Sequence, residues 1–181
     1  MSEQKKYEFV PGDEIVIAPG LTLKRIRALI AITAISVAPG DLGGYVENEA
    51  NLDASGNAWV SGNARVSGDA RVSGDAWVYG DARVYGSAWV SGDALVSGNA
   101  QIKSCTDWLL LGPAKSSGRF TTAYLDSKIG VRVSCGRFSG GVQDFSFQIE
   151  ETHAGNLPHL HQYRLFCQLI AFNFGVEPAC A

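Results

Sequence analysis

At 181 residues with 46% hydrophobic content, the chain is long enough for one domain plus a small appendage and too apolar for intrinsic disorder. Its 18 acidic residues outnumber its 15 Lys and Arg, and the net charge of −3 argues against a general affinity for nucleic acid or anionic membrane. No run is long enough to span a bilayer and the start, MSEQKKYEFV, lacks the apolar core of an export signal, so a cytoplasmic protein is expected.

Residues 1–45 read as a lead-in of strands. YEFV is followed by a turn at Pro11-Gly12-Asp13, then IVIA, a second turn at Pro19-Gly20, and the alternating run LTLKRIRALI. Lys24, Arg25 and Arg27 form a small basic cluster, expected to be a solvated face, with an anion site as the alternative.

From Asn57 to Ile102 a six-residue phrase repeats with almost no drift: NAWVSG NARVSG DARVSG DAWVYG DARVYG SAWVSG DALVSG NAQI. Val60 to Val96 recur every sixth residue, Ile102 closes the series, and an Ala stands two positions before each. Ala and Val point one way and their neighbours the other, as in a strand of about four residues. Gly followed by Asp or Asn then supplies a corner. Hairpins would favour Asn-Gly or Asp-Gly, the reverse order, and collagen needs Gly at every third position. A fixed period this short predicts a solenoid.

The phrase resembles the hexapeptide repeat of left-handed parallel β-helix proteins, in which three phrases make one triangular coil. The resemblance covers about Val46 to Ile102 and implies a β-helix over 46–112. Val46 and Leu52 already keep the six-residue step, and two extra residues before Val60 read as a bulged corner. Residues eighteen apart should therefore stack. One face carries Trp59, Trp77 and Leu95 with Tyr79 beside them; a second carries Arg65, Arg83 and Gln101; the third carries Arg71 and Trp89. The Trp59, Trp77, Tyr79 and Leu95 strip, with Trp89, is expected to be covered by the chain itself or to form an interface, and a homo-oligomer follows from the latter, a trimer before a dimer. Arg65 and Arg83 are expected to pair with corner carboxylates, with anion binding as the alternative. The corner Asp and Asn residues fit turn chemistry better than a calcium ladder.

After Ile102 the repeat dissolves. The run Trp108–Leu111 is expected to seal the solenoid's end, and residues 113–181 to form a separate α+β (ββαα) cap. RFTTAYL and GVRVSC read as two strands. Ser139 opens a helix with Val142, Phe145 and Ile149 inward, and a second helix, ending at Gly175, places Leu160, Tyr163, Phe166, Ile170 and Phe174 on one face. The fold class is thus mainly β: a left-handed parallel β-helix with a small C-terminal α+β cap.

The GDLGG…ENEANL lead-in and the GPAKSSGRF, CGRFSGG and ETHAGN segments also resemble a group of hexapeptide-repeat proteins encoded in bacteriophage and prophage genomes. That resemblance implies a host bacterial cytoplasm and a protein that binds and blocks a host factor, with counter-defence as its setting. It brings no mechanism. Hexapeptide acyltransferases, the enzymatic alternative, use a histidine on or near the coils, whereas His153, His159 and His161 all lie after them. His159 and His161 are two apart and point away from each other on a helix, a poor metal pair. The four cysteines, Cys105, Cys135, Cys167 and the tail residue Cys180, contain no CxxC pair and are expected to be reduced. No catalytic residue, metal or cofactor is therefore assigned. The remaining candidates are Lys115, Ser117, Arg119, Arg132 and Arg137, grouped on short loops of the C-terminal unit. Together with Arg65 and Arg83 they suit an anionic ligand, and the alternative function is a sponge for an anionic (cyclic) nucleotide.

Overall fold

The computed structural model describes residues 5–177 and divides into two compact units, residues 1–105 and 106–181. Cys180 lies outside the described residues. Among those described, no helix is long and apolar enough to cross a membrane.

The first unit opens with β1 (Tyr7–Ala18) antiparallel to β2 (Leu21–Ala28), which pairs in turn with β3 (Leu42–Val46). The expected break at Pro11-Gly12-Asp13 is not a chain reversal. The register slips between Phe9 and Glu14 and the strand continues, a bulge absorbing the proline that cannot donate to the ladder.

Eight two-residue strands follow: β4 (Trp59–Val60), β5 (Arg65–Val66), β6 (Arg71–Val72), β7 (Trp77–Val78), β8 (Arg83–Val84), β9 (Trp89–Val90), β10 (Leu95–Val96) and β11 (Gln101–Ile102). They stack in parallel as β4-β7-β10, β6-β9 and β5-β8-β11, so paired strands stand eighteen residues apart. The third stack continues through β3 into β2 and β1, which welds the lead-in to one wall of the solenoid. Val46 pairs with Val66 and Leu52 with Val72, twenty apart instead of eighteen, and this confirms the two extra residues before Val60.

Each rung is closed by backbone hydrogen bonds to the next, such as Trp59 N to Ala76 O and Ser61 N to Val78 O, both 2.9 Å. The repeated Ala and Val residues, with Ile102, are at most 1% exposed and make one continuous core. No single coil could bury this surface alone. At the corners Asn57 Nδ2 donates to Asp75 Oδ1 (2.6 Å) and Asn63 Nδ2 to Asp81 Oδ1 (3.2 Å), so these acids bond along the stack.

The second unit is an antiparallel sheet, β12 (Trp108–Leu111), β13 (Thr121–Asp126), β14 (Gly130–Cys135) and β15 (Phe138–Gly141), followed by α1 (Val142–His153) and α2 (Leu157–Phe174). It is α+β as expected, with four strands instead of two. The run Trp108–Leu111, expected to close the solenoid, pairs along its whole length with β13, and its alternate residues Leu109 and Leu111 pack against this unit's own core. Ser139, expected inside a helix, lies in β15. The helix starts three residues later, where Asp144 Oδ2 accepts the Gly141 N–H at 3.2 Å. The inward faces of both helices are those expected, and α2 ends on Gly175 at φ 64°.

Candidate functional site

In the second unit, the loop from Ala114 to Arg119 is wound tightly on itself. Ala114 N–H donates to Arg119 O (2.8 Å), Gly118 N–H to Ala114 O (2.7 Å), and Arg119 N–H to Ser117 Oγ (3.2 Å). It is fastened to α2 at two points. Lys115 N–H donates to Gln162 Oε1 (2.9 Å), and the Ser117 hydroxyl shares a 3.3 Å hydrogen bond with Tyr163 Oη. These bonds fix where the loop's last residue, Arg119, projects.

Arg119 lies across the β14–β15 hairpin. Gly136 occupies the first position of this two-residue turn at φ 59°, a conformation glycine adopts without strain. Its missing side chain has a second use. A Cβ there would stand 2.9 Å from Arg119 Nη1 and 3.0 Å from its Cδ, so the guanidinium packs where a methyl group would be. Arg137 follows directly in the same turn, and two cations thus meet from two segments.

Both line a cleft of ≈ 500 Å³. Its apolar wall is Phe138 against Phe145, with ring centroids 5.3 Å apart. Helix α1 also contributes Gln148, Ile149 and Thr152, and Gln148 Nε2 donates to Thr152 Oγ1 at 3.1 Å. His153 ends the helix and stacks on Tyr163 (5.0 Å between centroids, 16° between planes), with His159 edge-on at 6.0 Å. Ser139 and Cys135 complete the polar lining, and among the described residues no Asp or Glu is part of it. In a chain where acids outnumber bases, a concavity with two guanidinium groups and no carboxylate favours an anion.

The other candidate residues fall elsewhere. Arg132 is held in an ion pair with buried Asp126 (Nε to Oδ2, 2.7 Å), whose other oxygen accepts Lys128 N–H at 2.8 Å, so this arginine closes a turn. Lys115 and Ser117 contribute the loop's fastening and do not line the cleft. Arg65 and Arg83 sit in register on the solenoid wall, in the first unit. The expected ion pairs to corner carboxylates do not form there among the described residues, and Asp75 and Asp81 bond along their own corners instead. The basic cluster of the lead-in is consumed internally. Arg25 pairs with Asp13 (3.3 Å) and lies over the Tyr45 ring, Arg27 pairs with Glu8, and Lys24 lies over Phe9.

The aromatic strip is discontinuous. Trp59 is 1% exposed and offers a partner nothing. Lys6 Nζ donates to Ala58 O beside it, and the lead-in closes over that end. Trp77 packs against Tyr79 with ring centroids 4.6 Å apart and planes tilted by 33°, and donates its indole N–H to Ser61 Oγ (2.9 Å). Trp89 makes the same bond to Ser73 Oγ (2.8 Å), yet stays 54% exposed. Leu95 is half-buried. This sixteen-residue step from indole to hydroxyl was present in the repeat and is a device of the solenoid itself.

Sequence reasoning missed Gln148, Thr152, His153 and Tyr163 as cleft residues. Two signals were available: the i, i+4 spacing of Gln148 and Thr152 on a helix, and the ETHAGN segment that holds Thr152 and His153.

Residues 64–80 and 76–92 each match the YdcK Beta solenoid repeat, and the chain is similar to that repeat over its middle coils. No curated protein and no solved structure matches the chain.

Proposed function

We propose that this β-solenoid repeat protein is a non-catalytic binder of a small anionic ligand, held in the cleft of its second unit. The observation that carries the reading is the entry of Arg119 and Arg137 into one cleft whose lining, among the described residues, contains no carboxylate. Guanidinium groups present planar forks to phosphate or carboxylate oxygens, and the Ser139 and Thr152 hydroxyls add neutral donors. Phe138 supplies an apolar wall against which a planar ring can lie. A nucleotide meets all three requirements. The cleft's size also favours this alternative over a blocked host protein, since a protein surface engages broad, flat areas and small ligands engage concavities of several hundred Å³.

Calorimetry against inorganic phosphate and a panel of linear and cyclic nucleotides tests the proposal. At least one nucleotide should bind, and Arg119→Ala and Arg137→Ala should each weaken it by roughly tenfold or more, the worth of a charge-assisted hydrogen bond. Silence across the panel, or affinity indifferent to both substitutions, overturns the reading.

A further inference from the structure

Helix α2 is apolar on both of its long sides. Leu160, Phe166, Cys167 and Ile170 of its inner side are buried in the core of the second unit. An ordinary surface helix would carry charge on the opposite side. Here the exposed positions recur at 157–158, 161, 165, 168–169 and 172–173, and none is Asp, Glu, Lys or Arg. Four of them are large and apolar: Leu157 is 71% exposed, Leu165 45%, Leu169 49% and Phe172 89%. The only Lys or Arg of the helix, Arg164, is tied by two hydrogen bonds to Glu150 of α1, at 2.6 and 2.9 Å. A helix that is hydrophobic all round belongs in an interior.

We infer that this outer stripe is the contact between two copies of the chain, packed antiparallel about a two-fold axis passing beside Leu165. The spacing supports that alignment. Leu157 stands eight residues before Leu165 and Phe172 seven after it, so the rotation lays Leu157 of one copy over Phe172 of the other. Leu165 meets its own counterpart and Leu169 meets His161. An isologous contact of this kind must be compatible with itself, and a stripe without charges brings no like charges together. The four side chains expose roughly 500 Å² per copy, hence roughly 1,000 Å² for the pair, the range of weak, transient interfaces. That area fits a reversible dimer. A membrane surface fits less well, because no Lys or Arg is left on the helix to engage anionic headgroups.

Sedimentation equilibrium of the full chain over a concentration series should report an assembly of two protomers, dissociating on dilution. Leu165→Glu and Phe172→Ser should each weaken association at least tenfold, with circular dichroism unchanged because both positions face solvent in the protomer. Leu165→Cys, with Cys105 and Cys180 replaced by Ser, should form a symmetric disulfide under mild oxidation, and Glu151→Cys in the same background should not. A monomer at about 100 µM, far above the range expected of a specific interface, overturns the inference. So do a mass of three protomers, a dimer indifferent to both substitutions, and vesicle binding without self-association.

Discussion

The two units reach stability by opposite routes. In the solenoid the same two small residues, Ala and Val, fill the core at every rung, and each strand is only two residues long. In the second unit the core is a set of unlike side chains, from Ala123 to Phe145 and Tyr163, each used once. A repeated rung can only repeat its surface, so it produces rows: indoles, arginines, corner carboxylates. A concave site with a particular charge needs unlike groups converging from different segments, and that is found where the repeat ends. On the proposed reading, binding belongs to the non-repeating unit, where Arg119 and Arg137 line one cleft.

The largest effect should come from breaking the repeat at its middle. Val78 is fully buried between rungs, and Val78→Asp places a carboxylate there with no partner. The expected loss exceeds about 4 kcal/mol, enough to unfold the coils. Both α-helices belong to the second unit, so circular dichroism should keep its helical component while the β component falls. If the cleft is self-sufficient, ligand affinity survives. Loss of the helical component together with the β component would show that the two units fold as one.

The same contrast governs what could be read from the sequence. The rung pairing of Trp59 with Trp77 and Leu95, the shifted step at Leu52 and the inward faces of both helices were legible because each follows a period that physics fixes. The first strand was misread as two because Pro11-Gly12 signals a turn and a bulge equally well. The pairing of Trp108–Leu111 with β13 was not legible, because an apolar run does not state its strand partner. The cleft was half-legible. Arg119 and Arg137 were named, but Arg132, five residues before Arg137, was grouped with them and proved to be spoken for by Asp126. Which of three nearby arginines keeps a free guanidinium is decided by strand register, which one sequence does not state.

A smaller effect separates structural from functional glycine. Gly74, at a solenoid corner with φ 68°, would bring an added Cβ to 3.0 Å from Gly92 N; Gly136, at φ 59°, would bring one against Arg119. Gly74→Ala and Gly136→Ala should each cost about 1–3 kcal/mol for a left-handed alanine. Only Gly136→Ala should also weaken ligand binding, by displacing the guanidinium. Denaturant titration paired with calorimetry checks both, and equal binding by the two variants would detach Gly136 from the site.

A pH-dependent effect lies where the lead-in meets the first coil. Lys6 is fully buried, its ammonium donating to Ala58 O at 2.8 Å and Ser55 O at 3.3 Å, and burial lowers its pKa from 10.5 to about 8 although Asp53 opposes the shift. Its neighbour Tyr7 is raised from 10.0 to about 12, by burial first and then by the charges of Glu49 and Asp53. The two act on stability in opposite directions. Between pH 8 and 10.5 the unfolded chain holds the Lys6 proton more tightly than the folded one, so the penalty for burying the cation is relieved and stability rises with pH. For Tyr7 the folded state favours the neutral phenol. Its contribution is complete below pH 10 and is lost as pH climbs towards 12. The stability of the first unit should therefore pass through a maximum near pH 10, and denaturant midpoints across this range would reveal it. Lys6→Met should abolish the rise and keep the fall, whereas Tyr7→Phe should keep the rise and remove the phenol's share of the fall. A rise that persists in Lys6→Met would assign the proton to another group and leave the buried ammonium without thermodynamic consequence.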